Sequence, residues 1–436
     1  MPHMPPDNPL DVLQSLDFNE GLGAGDPRYV ETQEARGSQK TLSRLARKFG
    51  LDLTSGRLAA LSKSHVLLFG HTGSGKTTEL RHYAAKLGEP GRFFIIEVDI
   101  VQVLDSNNLQ YADALMAMAE AVLKELQLAN VGLESGALNG LHRWFSQRVL
   151  ETEAGRELSA ELETGGEAKL EIPFLMSLFA KFTTAFKTNV AYKDSLRREI
   201  RNHFSELKNE FNEFLDRAEQ ALVTAGKNQR ILFVLDGTDK LRGEDTHRFF
   251  VEDAEQLLAI EARAVYTAPL ALKYEGNLTN KLDADLVLPM IKLSQGGQRF
   301  APGWQAMRDI LLRRAARSLF ASEAEIEKLI EFSGGHPREL LRLLKLCCEF
   351  AEQPLFDRAV IDAAVKQLAS EYRRFLDRDD YTLLKQVDAD GAMVSTDDRT
   401  RKLLYHLALL EYNDGSWRAS HPVVRLLEGY IRDASP

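Results

Sequence analysis

The sequence has little cysteine and no long apolar run. Its 436 residues include two cysteines, Cys347 and Cys348, which are neighbours in the chain. Adjacent residues rarely reach the geometry of a normal disulfide, and two thiols do not complete a metal site. We therefore expect two buried thiols in a reducing compartment. No apolar run approaches the ~20 residues that a membrane span needs, so we predict no membrane association.

The sequence also lacks an excess of positive charge. Lysine and arginine total 55 and the acidic residues total 64, which gives a net charge of -9. This balance provides no general positive field that attracts nucleic acid or anionic lipid, although it is compatible with a local basic patch. The first residues, MPHMPPDNPL, do not show the order of a basic and then an apolar region that marks a secretory signal, so we expect a cytoplasmic location.

Five short apolar runs have the composition of buried parallel strands. They lie at 65–69, 93–98, 231–235, 262–267 and 285–288. Helical patterns at 42–48 and 77–87 lie on either side of the first run. This alternation predicts an α/β domain over 41–295. Residues 1–40 are rich in Pro, Gly and Asp without a sustained period, and we expect them to form a mostly irregular arm.

A helical insertion at 109–230 separates the second apolar run from the third. Two of its segments, the first beginning at Leu109 and the last at Leu196, carry apolar residues three and four positions apart, which is typical of amphipathic helices. Between them, 155–173 contains a Gly-Gly pair and many acids and indicates a loop. The apolar run 173–182 is too short to span a membrane, and a buried helix is favoured there over an exposed contact element.

After Pro302 the pattern is helical until a hairpin signal close to the end of the sequence. We assign 296–352 to a helical lid and 353–436 to a C-terminal domain. The hairpin signal is Asn-Asp-Gly at 413–415, between two short runs that resemble strands.

The strongest motif is Gly-His-Thr-Gly-Ser-Gly-Lys-Thr at 70–77, which matches the P-loop pattern G-x-x-x-x-G-K-[S/T] at every fixed position. In a P-loop, glycines let backbone N–H groups approach phosphate oxygens, and the following helix adds its positive N-terminal end. Lys76 is predicted to reach the β- and γ-phosphates of ATP, and the Thr77 hydroxyl to bind Mg²⁺. The residues predicted to contact the nucleotide are Gly70, His71, Thr72, Gly73, Ser74, Gly75, Lys76, Thr77 and Thr78, joined by Pro337 of the lid.

A second motif is the apolar run 231–235 followed by Asp236. A buried parallel strand brings such a carboxylate to the edge of the sheet where the P-loop also lies, so Asp236 is predicted to hold Mg²⁺. The next residue is Gly237 and not a water-activating glutamate. Asp239 is the nearest carboxylate that could orient or deprotonate an attacking water, although a structural role in the loop is also open. Hydrolysis therefore depends on Asp239, whereas binding does not.

Two more polar residues are predicted to act at the same site. Thr267, at the end of the fourth apolar run, could bond the γ-phosphate or the attacking water; the alternative is a turn-forming threonine before Pro269. Arg338 follows Gly-Gly-His-Pro and would project from the start of a helix, where it could meet the γ-phosphate. The alternative for Arg338 is a salt bridge. The predicted catalytic residues are therefore Lys76, Asp239, Thr267 and Arg338.

Together, the P-loop, the Asp-Gly-Thr-Asp turn at 236–239 and Gly-Gly-His-Pro-Arg-Glu-Leu at 334–340 resemble the AAA+/STAND group of P-loop ATPases. NACHT ATPases carry Asp-Gly-x-Asp-Glu after the strand, although Lys240 replaces the last acid here. The lid motif is similar to that of origin-recognition ATPases. The resemblance covers roughly 61–349 and implies an α/β P-loop NTPase fold with a parallel sheet in the order 5-1-4-3-2, a helical lid and often a winged helix.

The resemblance also has implications for function. Bacterial members of this group commonly act as regulators or as sensors in antiviral defence. An oligomeric member would receive an arginine finger from a neighbouring subunit, and Arg299, Arg313 and Arg314 lie in the right region of the sequence.

The C-terminal pattern fits a winged helix with the hairpin as its wing. From Asp397 to Asp433, six basic residues are balanced by six acidic ones, which gives little attraction for a phosphate backbone. Contact with a protein, or an autoinhibitory role, is therefore favoured over DNA binding.

The sequence leaves more than one function open. The first is a nucleotide-gated switch, in which ATP holds lid and core together and the chain engages a partner protein or self-assembles. The second is a DNA-binding AAA+ ATPase, such as an origin-recognition-like loader or a transposition regulator. A scaffold with a vestigial P-loop is disfavoured because every phosphate-contacting position is intact. The complete binding motif beside an atypical hydrolytic motif favours the switch.

Overall fold

The computed structural model describes residues 3–59, 63–104, 109–134, 136–148, 190–228, 230–241, 243–275, 282–391 and 396–432, together with 175–176, 179–180, 184 and 278. No helix within these ranges is long and apolar enough to cross a membrane.

A five-stranded parallel sheet forms the centre of the α/β part. Its strands are β1 (His65–Gly70), β2 (Phe93–Asp99), β3 (Arg230–Asp236), β4 (Ala264–Pro269) and β5 (Asp283–Val287). The order is β2-β3-β4-β1-β5, and all paired neighbours are parallel. This is the predicted order 5-1-4-3-2 counted from the opposite edge, so the predicted fold class is confirmed. The observed strand bounds differ from the predicted ones by at most two residues.

The inner strands are mostly apolar because both faces of the sheet are covered. Along β1, Val66 and Leu68 face one core cluster while Leu67 and Phe69 face another. Every residue of β1 and β4 is buried. The in-register parallel pairing brings the carboxyl ends of β1, β3 and β4 to the same edge of the sheet.

Short helices precede and flank the sheet. They are α1 (Pro9–Ser15), α2 (Gln33–Arg36), α3 (Thr41–Lys48), α4 (Lys76–Leu87) and α5 (Ile100–Val103). Apart from α1 and α2, the described part of the N-terminal arm is irregular, as the sequence predicts. The helices predicted at 42–48 and 77–87 are confirmed as α3 and α4.

The insertion contains helices α6 (Tyr111–Leu128), α7 (Asn139–Arg148), α8 (Val190–Asn202) and α9 (Phe204–Thr224). Helix α6 packs on β2 and α9 on β3, whereas α7 packs on α9 and α8 packs on α6 and α9. The apolar pattern that begins at Leu196 predicts one helix, but the backbone leaves helical geometry at His203, where φ is −119° and ψ is 26°. Two helices therefore share the pattern, and the first residue of α9, Phe204, packs edge-on against Tyr111 of α6.

Part of the insertion lies outside the described residues, including the predicted loop at 155–173 and most of the apolar run 173–182. In that run, Leu175 and Phe179 are described and are fully buried. The Phe179 ring lies 5.3 Å from that of Phe145 in α7. At these two positions the run is buried rather than exposed.

The described parts of the connections from β3 to β4 and from β4 to β5 are mostly helical. They contain α10 (Gly243–His247) and α11 (Ala254–Ala259), a π-helical turn at Arg248–Glu252, and 3-10 turns at Thr238–Lys240 and Leu270–Tyr274.

A two-stranded ribbon and a series of helices follow the sheet. They are β6 (Ser294–Gln295), β7 (Gln298–Arg299), α12 (Ala301–Leu312), α13 (Glu323–Phe332), α14 (Pro337–Phe350), α15 (Arg358–Tyr372), α16 (Arg378–Ala389), α17 (Asp398–Tyr405) and α18 (Glu428–Arg432). Short 3-10 turns lie at Arg317–Leu319 and Pro422–Leu426. Cys347 and Cys348 lie on α14 as buried free thiols, which confirms their predicted burial.

The predicted C-terminal hairpin is confirmed. Strands β8 (Leu409–Tyr412) and β9 (Trp417–Ser420) pair antiparallel around a 3-10 turn, where Asn413 and Gly415 have positive φ values. Its apolar side chains form a small cluster with Met290, which follows β5. The hairpin therefore packs on the α/β part. The domain bounds and the winged-helix interpretation stay predictions.

Candidate nucleotide-binding site

The P-loop connects β1 to α4 at the carboxyl edge of the sheet. Gly73 and Gly75 have φ of 84° and 98°, a left-handed conformation that residues with a Cβ rarely adopt. Helix α4 begins at Lys76, immediately after Gly75. The backbone path of the loop therefore explains the glycines at 73 and 75.

Lys76 is held by acceptors on three sides. Its Nζ donates to the carbonyls of Gly70 and His71, both at 2.9 Å. The same atom lies 2.7 Å from Asp239 Oδ2. The Lys76 and Asp239 side chains are only 3% and 7% exposed. A buried cation thus lies against the loop with its charge balanced by Asp239.

Asp239 also contacts the residue predicted to sense the nucleotide. The hydroxyl of Thr267, which lies within β4, donates to Asp239 Oδ1 at 3.2 Å. Burial opposes ionisation of Asp239, but the charge and hydrogen bond of Lys76 outweigh it and keep the pKa of this carboxyl below its ordinary value. The structure therefore brings Lys76, Asp239 and Thr267 together.

The two predicted magnesium ligands are also adjacent. The Thr77 hydroxyl donates to Asp236 Oδ1 at 3.0 Å. Burial, together with the nearby negative charge of Asp239, raises the pKa of Asp236. A hydroxyl and a carboxylate with a second carboxylate close by suit Mg²⁺, which prefers oxygen ligands and keeps waters and substrate phosphates in its shell. These residues fit the predicted ion.

The lid presents Arg338 to the P-loop. The Arg338 side chain lies so close to Gly73 that a Cβ on that glycine would be 2.8 Å from it. Arg338 Nη2 donates to the Phe18 carbonyl at 3.2 Å, whereas its buried Nε has no hydrogen-bond partner among the described residues. Burial lowers the pKa of Arg338. A partly unsatisfied buried cation beside a P-loop fits a site for an anionic group, and Pro337 lines the same pocket.

The predicted contact residues divide into two groups. Those that line the pocket are Gly73, Gly75, Lys76, Thr77, Thr78 and Pro337. The remaining P-loop residues face other parts of the protein. His71 Nε2 accepts the backbone N–H of Glu411 in β8 at 2.9 Å, and His336 Nε2 donates to the Thr72 carbonyl at 3.0 Å. Gly70 offers its carbonyl to Lys76, and the buried Ser74 hydroxyl has no partner in the described part of the chain.

Residues 37–260, more than half of the chain, match the model of the AAA ATPase domain. The chain belongs to the AAA ATPase family. Membership implies nucleotide binding together with a divalent metal ion, which agrees with the chemistry of the residues around the P-loop.

Several solved structures are similar to this AAA ATPase over most of its length. For Orc1 of Aeropyrum pernix in complex with DNA, identity is 17%, the TM-score is 0.37, and the match covers 88% of this chain and 80% of Orc1. For Cdc6p from Pyrobaculum aerophilum, identity is 13%, the TM-score is 0.37, and the match covers 93% of this chain and 96% of Cdc6p. For a Walker-type ATPase of Pyrococcus abyssi, identity is 13%, the TM-score is 0.40, and the match covers 95% of this chain and 99% of that ATPase. No curated protein matches the sequence. The family assignment rests on the sequence model alone.

In this AAA ATPase the N-terminal arm lies across the pocket, a feature that sequence reasoning missed. The backbone N–H of Leu22 donates to Thr78 Oγ1 at 3.1 Å, and Arg81 donates to the Gly21 carbonyl. A Cβ on Gly21 would lie 2.1 Å from Thr77 Cγ2. The arm carries no motif, so only the three-dimensional contacts reveal that it closes one side of the site.

The three candidates for an arginine finger have different surroundings. Arg299 pairs with Glu327 at 2.6 Å and stacks on Trp304. Arg313 donates to the Pro27 carbonyl at 2.9 Å. Arg314 lines this chain's own pocket, where burial lowers its pKa to about 10. Of the three, Arg314 is therefore placed to act in its own chain rather than on a neighbour, and the finger stays a prediction.

Proposed function

We propose that this AAA ATPase binds ATP with Mg²⁺ at the P-loop and acts as a nucleotide-gated switch. One observation carries the proposal: three consecutive P-loop residues contact the C-terminal hairpin and the lid. His71 bonds the C-terminal hairpin, Thr72 bonds the lid through His336, and Gly73 packs against Arg338. A change at the phosphate-binding loop would therefore act directly on both the lid and the hairpin.

Different residues of the site would bind the phosphates, the Mg²⁺ ion and the remainder of the nucleotide. Lys76 and the unsatisfied Nε of Arg338 would bind phosphate oxygens, and backbone N–H groups of the loop would complete the cradle. Thr77 and Asp236 would hold Mg²⁺, which neutralises charge on the phosphates when it is bound. Pro337 and the arm that carries Gly21 would enclose the remainder of the nucleotide.

Hydrolysis, in this proposal, is slow or stimulated by a partner. Gly237 occupies the position after Asp236, so the carboxylate available to orient the attacking water is Asp239. Its pairing with Lys76 keeps Asp239 ionised but also occupies one of its oxygens. Because Asp239 has to separate from Lys76 before it can act on water, we expect slow turnover, which suits a switch better than a continuous motor.

The output of the switch is a contact with a partner protein or with copies of this chain. The DNA-binding alternative is disfavoured because each of the six basic residues between Asp397 and Asp433 is already paired with a carboxylate. The pairs are Arg399 with Asp377, Arg401 with Asp398, Lys402 with Asp380, Arg418 with Glu411, Arg425 with Asp388 and Arg432 with Glu428. Charges neutralised in this way contribute little to phosphate binding. The resemblance to NACHT ATPases adds the hypothesis of a bacterial regulator, including a role in antiviral defence.

The binding step is tested by equilibrium titration with ATP. We expect Lys76→Ala to weaken ATP binding by at least about tenfold, or about 1.4 kcal/mol. Lys86→Ala is the matched control because Lys86 lies on the same helix with its side chain 66% exposed. Equal affinity for ATP in wild type and Lys76→Ala would overturn the proposal.

The output is tested separately by measuring what binds in the presence of ATP. The switch predicts ATP-dependent self-association or co-elution with a protein partner. An ATP-dependent shift of duplex DNA that weakens steeply with salt would instead support the DNA-binding alternative.

A further inference from the structure

A buried arginine lies behind the P-loop, outside the residues assigned so far. The Arg36 side chain, at the end of α2, is 2% exposed. Its Nη2 donates to the Ser74 carbonyl of the P-loop at 2.7 Å, its Nη1 to the Pro289 carbonyl at 2.7 Å, and its Nε to Thr32 Oγ1 at 2.8 Å. Each guanidinium nitrogen therefore has an acceptor.

The partners of Arg36 are unusual for a buried cation. All three acceptors are neutral, and Arg36 makes no direct ion pair within the described ranges. The nearest carboxylate contact is indirect, since Thr32 in turn donates to Glu79 Oε1 at 2.6 Å. A buried charge without a directly bonded counterion lowers the stability of the fold. The positive charge of Arg36 thus remains directed at the back of the loop.

The contact with Ser74 also fixes a peptide orientation. The peptide between Ser74 and Gly75 is trans, so its carbonyl and its N–H point in opposite directions. Because the carbonyl is held by Arg36, the Gly75 N–H points away from Arg36. Gly75 lines the pocket, and a Cβ placed on it would be 3.3 Å from Arg36 Nη2. The guanidinium therefore lies directly behind the backbone that faces the pocket.

We propose that Arg36 is a positioning residue for phosphate binding: it holds the Ser74–Gly75 peptide so that the Gly75 N–H faces the phosphates, and it adds a positive charge behind them. The inference rests on the proposed ATP binding. The Pro289 contact anchors this arrangement to the segment after β5, so the loop is held relative to the sheet. Since both effects act on phosphate, the contribution of Arg36 should be absent for a ligand without phosphates.

The test compares ligands as well as variants. We would measure the Kd of ATP, ADP and adenosine for wild type, Arg36→Met and Arg36→Lys, and the thermal unfolding of each protein without ligand. Arg36→Met is expected to weaken ATP and ADP by at least about tenfold and adenosine by less than about twofold. Arg36→Lys, which keeps the charge but cannot reach three acceptors, is expected to recover part of the loss.

Arg263→Met is the matched control for loss of a buried arginine. Arg263 is 5% exposed and pairs with Glu219 at 2.8 Å, away from the P-loop. We expect this variant to lower the unfolding temperature without changing any Kd. If Arg36→Met does not fold, Arg36→Lys still distinguishes the ligands.

Two results would overturn the inference: folded Arg36 variants with unchanged affinities, or equal losses for adenosine and ATP, which would indicate a purely structural role. A wild-type chain that binds neither ATP nor ADP would instead overturn the proposed function on which the inference rests.

Discussion

Lys76 Nζ lies 2.7 Å from Asp239 Oδ2, so the P-loop lysine is paired with the carboxylate three residues beyond Asp236. Breaking a buried ion pair is unfavourable unless each charge finds another partner. The phosphates of a nucleotide would supply a partner for Lys76. Asp239 would then be released from the lysine at the moment when a nearby water must be oriented. The pair thus links nucleotide binding to the release of Asp239, the predicted base.

This relationship predicts opposite effects of Asp239→Asn on binding and on turnover. The substitution removes a negative charge from the phosphate site, so ATP affinity should be unchanged or higher. Phosphate release should fall about 10²–10⁴-fold, the usual contribution of a general base. Asp216→Asn, at an exposed position paired with Lys63, is the control. Full turnover in Asp239→Asn would show that this residue is not the base.

The position of the arm predicts a difference between two nearby glycines. A Cβ on Gly21 would lie 2.1 Å from Thr77 Cγ2, whereas a Cβ on Gly23 meets nothing within 4 Å. Gly21→Val should therefore displace the arm and increase the rate of nucleotide release at least about threefold. Gly23→Val should release nucleotide at the wild-type rate. Stopped-flow displacement of a fluorescent ATP analogue measures both, and equal rates in the two variants would count against the arm as a barrier.

His71 predicts a pH dependence of stability. Burial and the nearby charges of Lys76 and Arg418 lower the pKa of His71 to about 3 in the folded protein, against an ordinary value of 6.5. Below about pH 6.5 the unfolded chain takes up a proton that the folded chain does not. Stability is therefore lost as pH falls from about 6.5 towards 3, by up to about 1.4 kcal/mol per pH unit for this group.

The variant His71→Gln isolates this contribution. Glutamine keeps an acceptor for the Glu411 N–H but does not titrate. Urea unfolding at about pH 7 and about pH 5 should show a loss of stability about 2 kcal/mol smaller in the variant than in wild type. His65, His336 and His421, whose pKa values are also lowered by burial, titrate in both proteins and cancel from the comparison. Identical pH dependence in the two proteins would exclude His71 as the titrating group.

The sheet and the chemistry at its edge could be predicted because local patterns encode them. Apolar runs that end at Gly70 and Asp236 indicate buried parallel strands, and parallel strands bring their carboxyl ends together. The grouping of Lys76 with Asp239 and Thr267 follows from this geometry. The direct pairing of Lys76 with Asp239 does not, because it depends on the turn at Gly237, whose φ is 84°.

The contacts that surround the P-loop could not be predicted from sequence. Arg36 reaches Ser74 across 38 positions, and His71 reaches Glu411 across 340. Neither pair belongs to a periodic segment or a motif, and both depend on how the arm and the hairpin pack. The break at His203 was missed for a related reason: the apolar spacing continues through it, so periodicity alone gives one helix.

The most direct test of the switch is amide hydrogen exchange of the hairpin Leu409–Ser420 with and without saturating ATP. The backbone N–H of Glu411 in this hairpin bonds His71 at the back of the P-loop, so the hairpin reports changes transmitted from the phosphate site. We predict that ATP and Mg²⁺ change exchange protection in this hairpin in the wild type and leave it unchanged in Lys76→Ala. Unchanged protection in a wild-type protein saturated with ATP would contradict the switch.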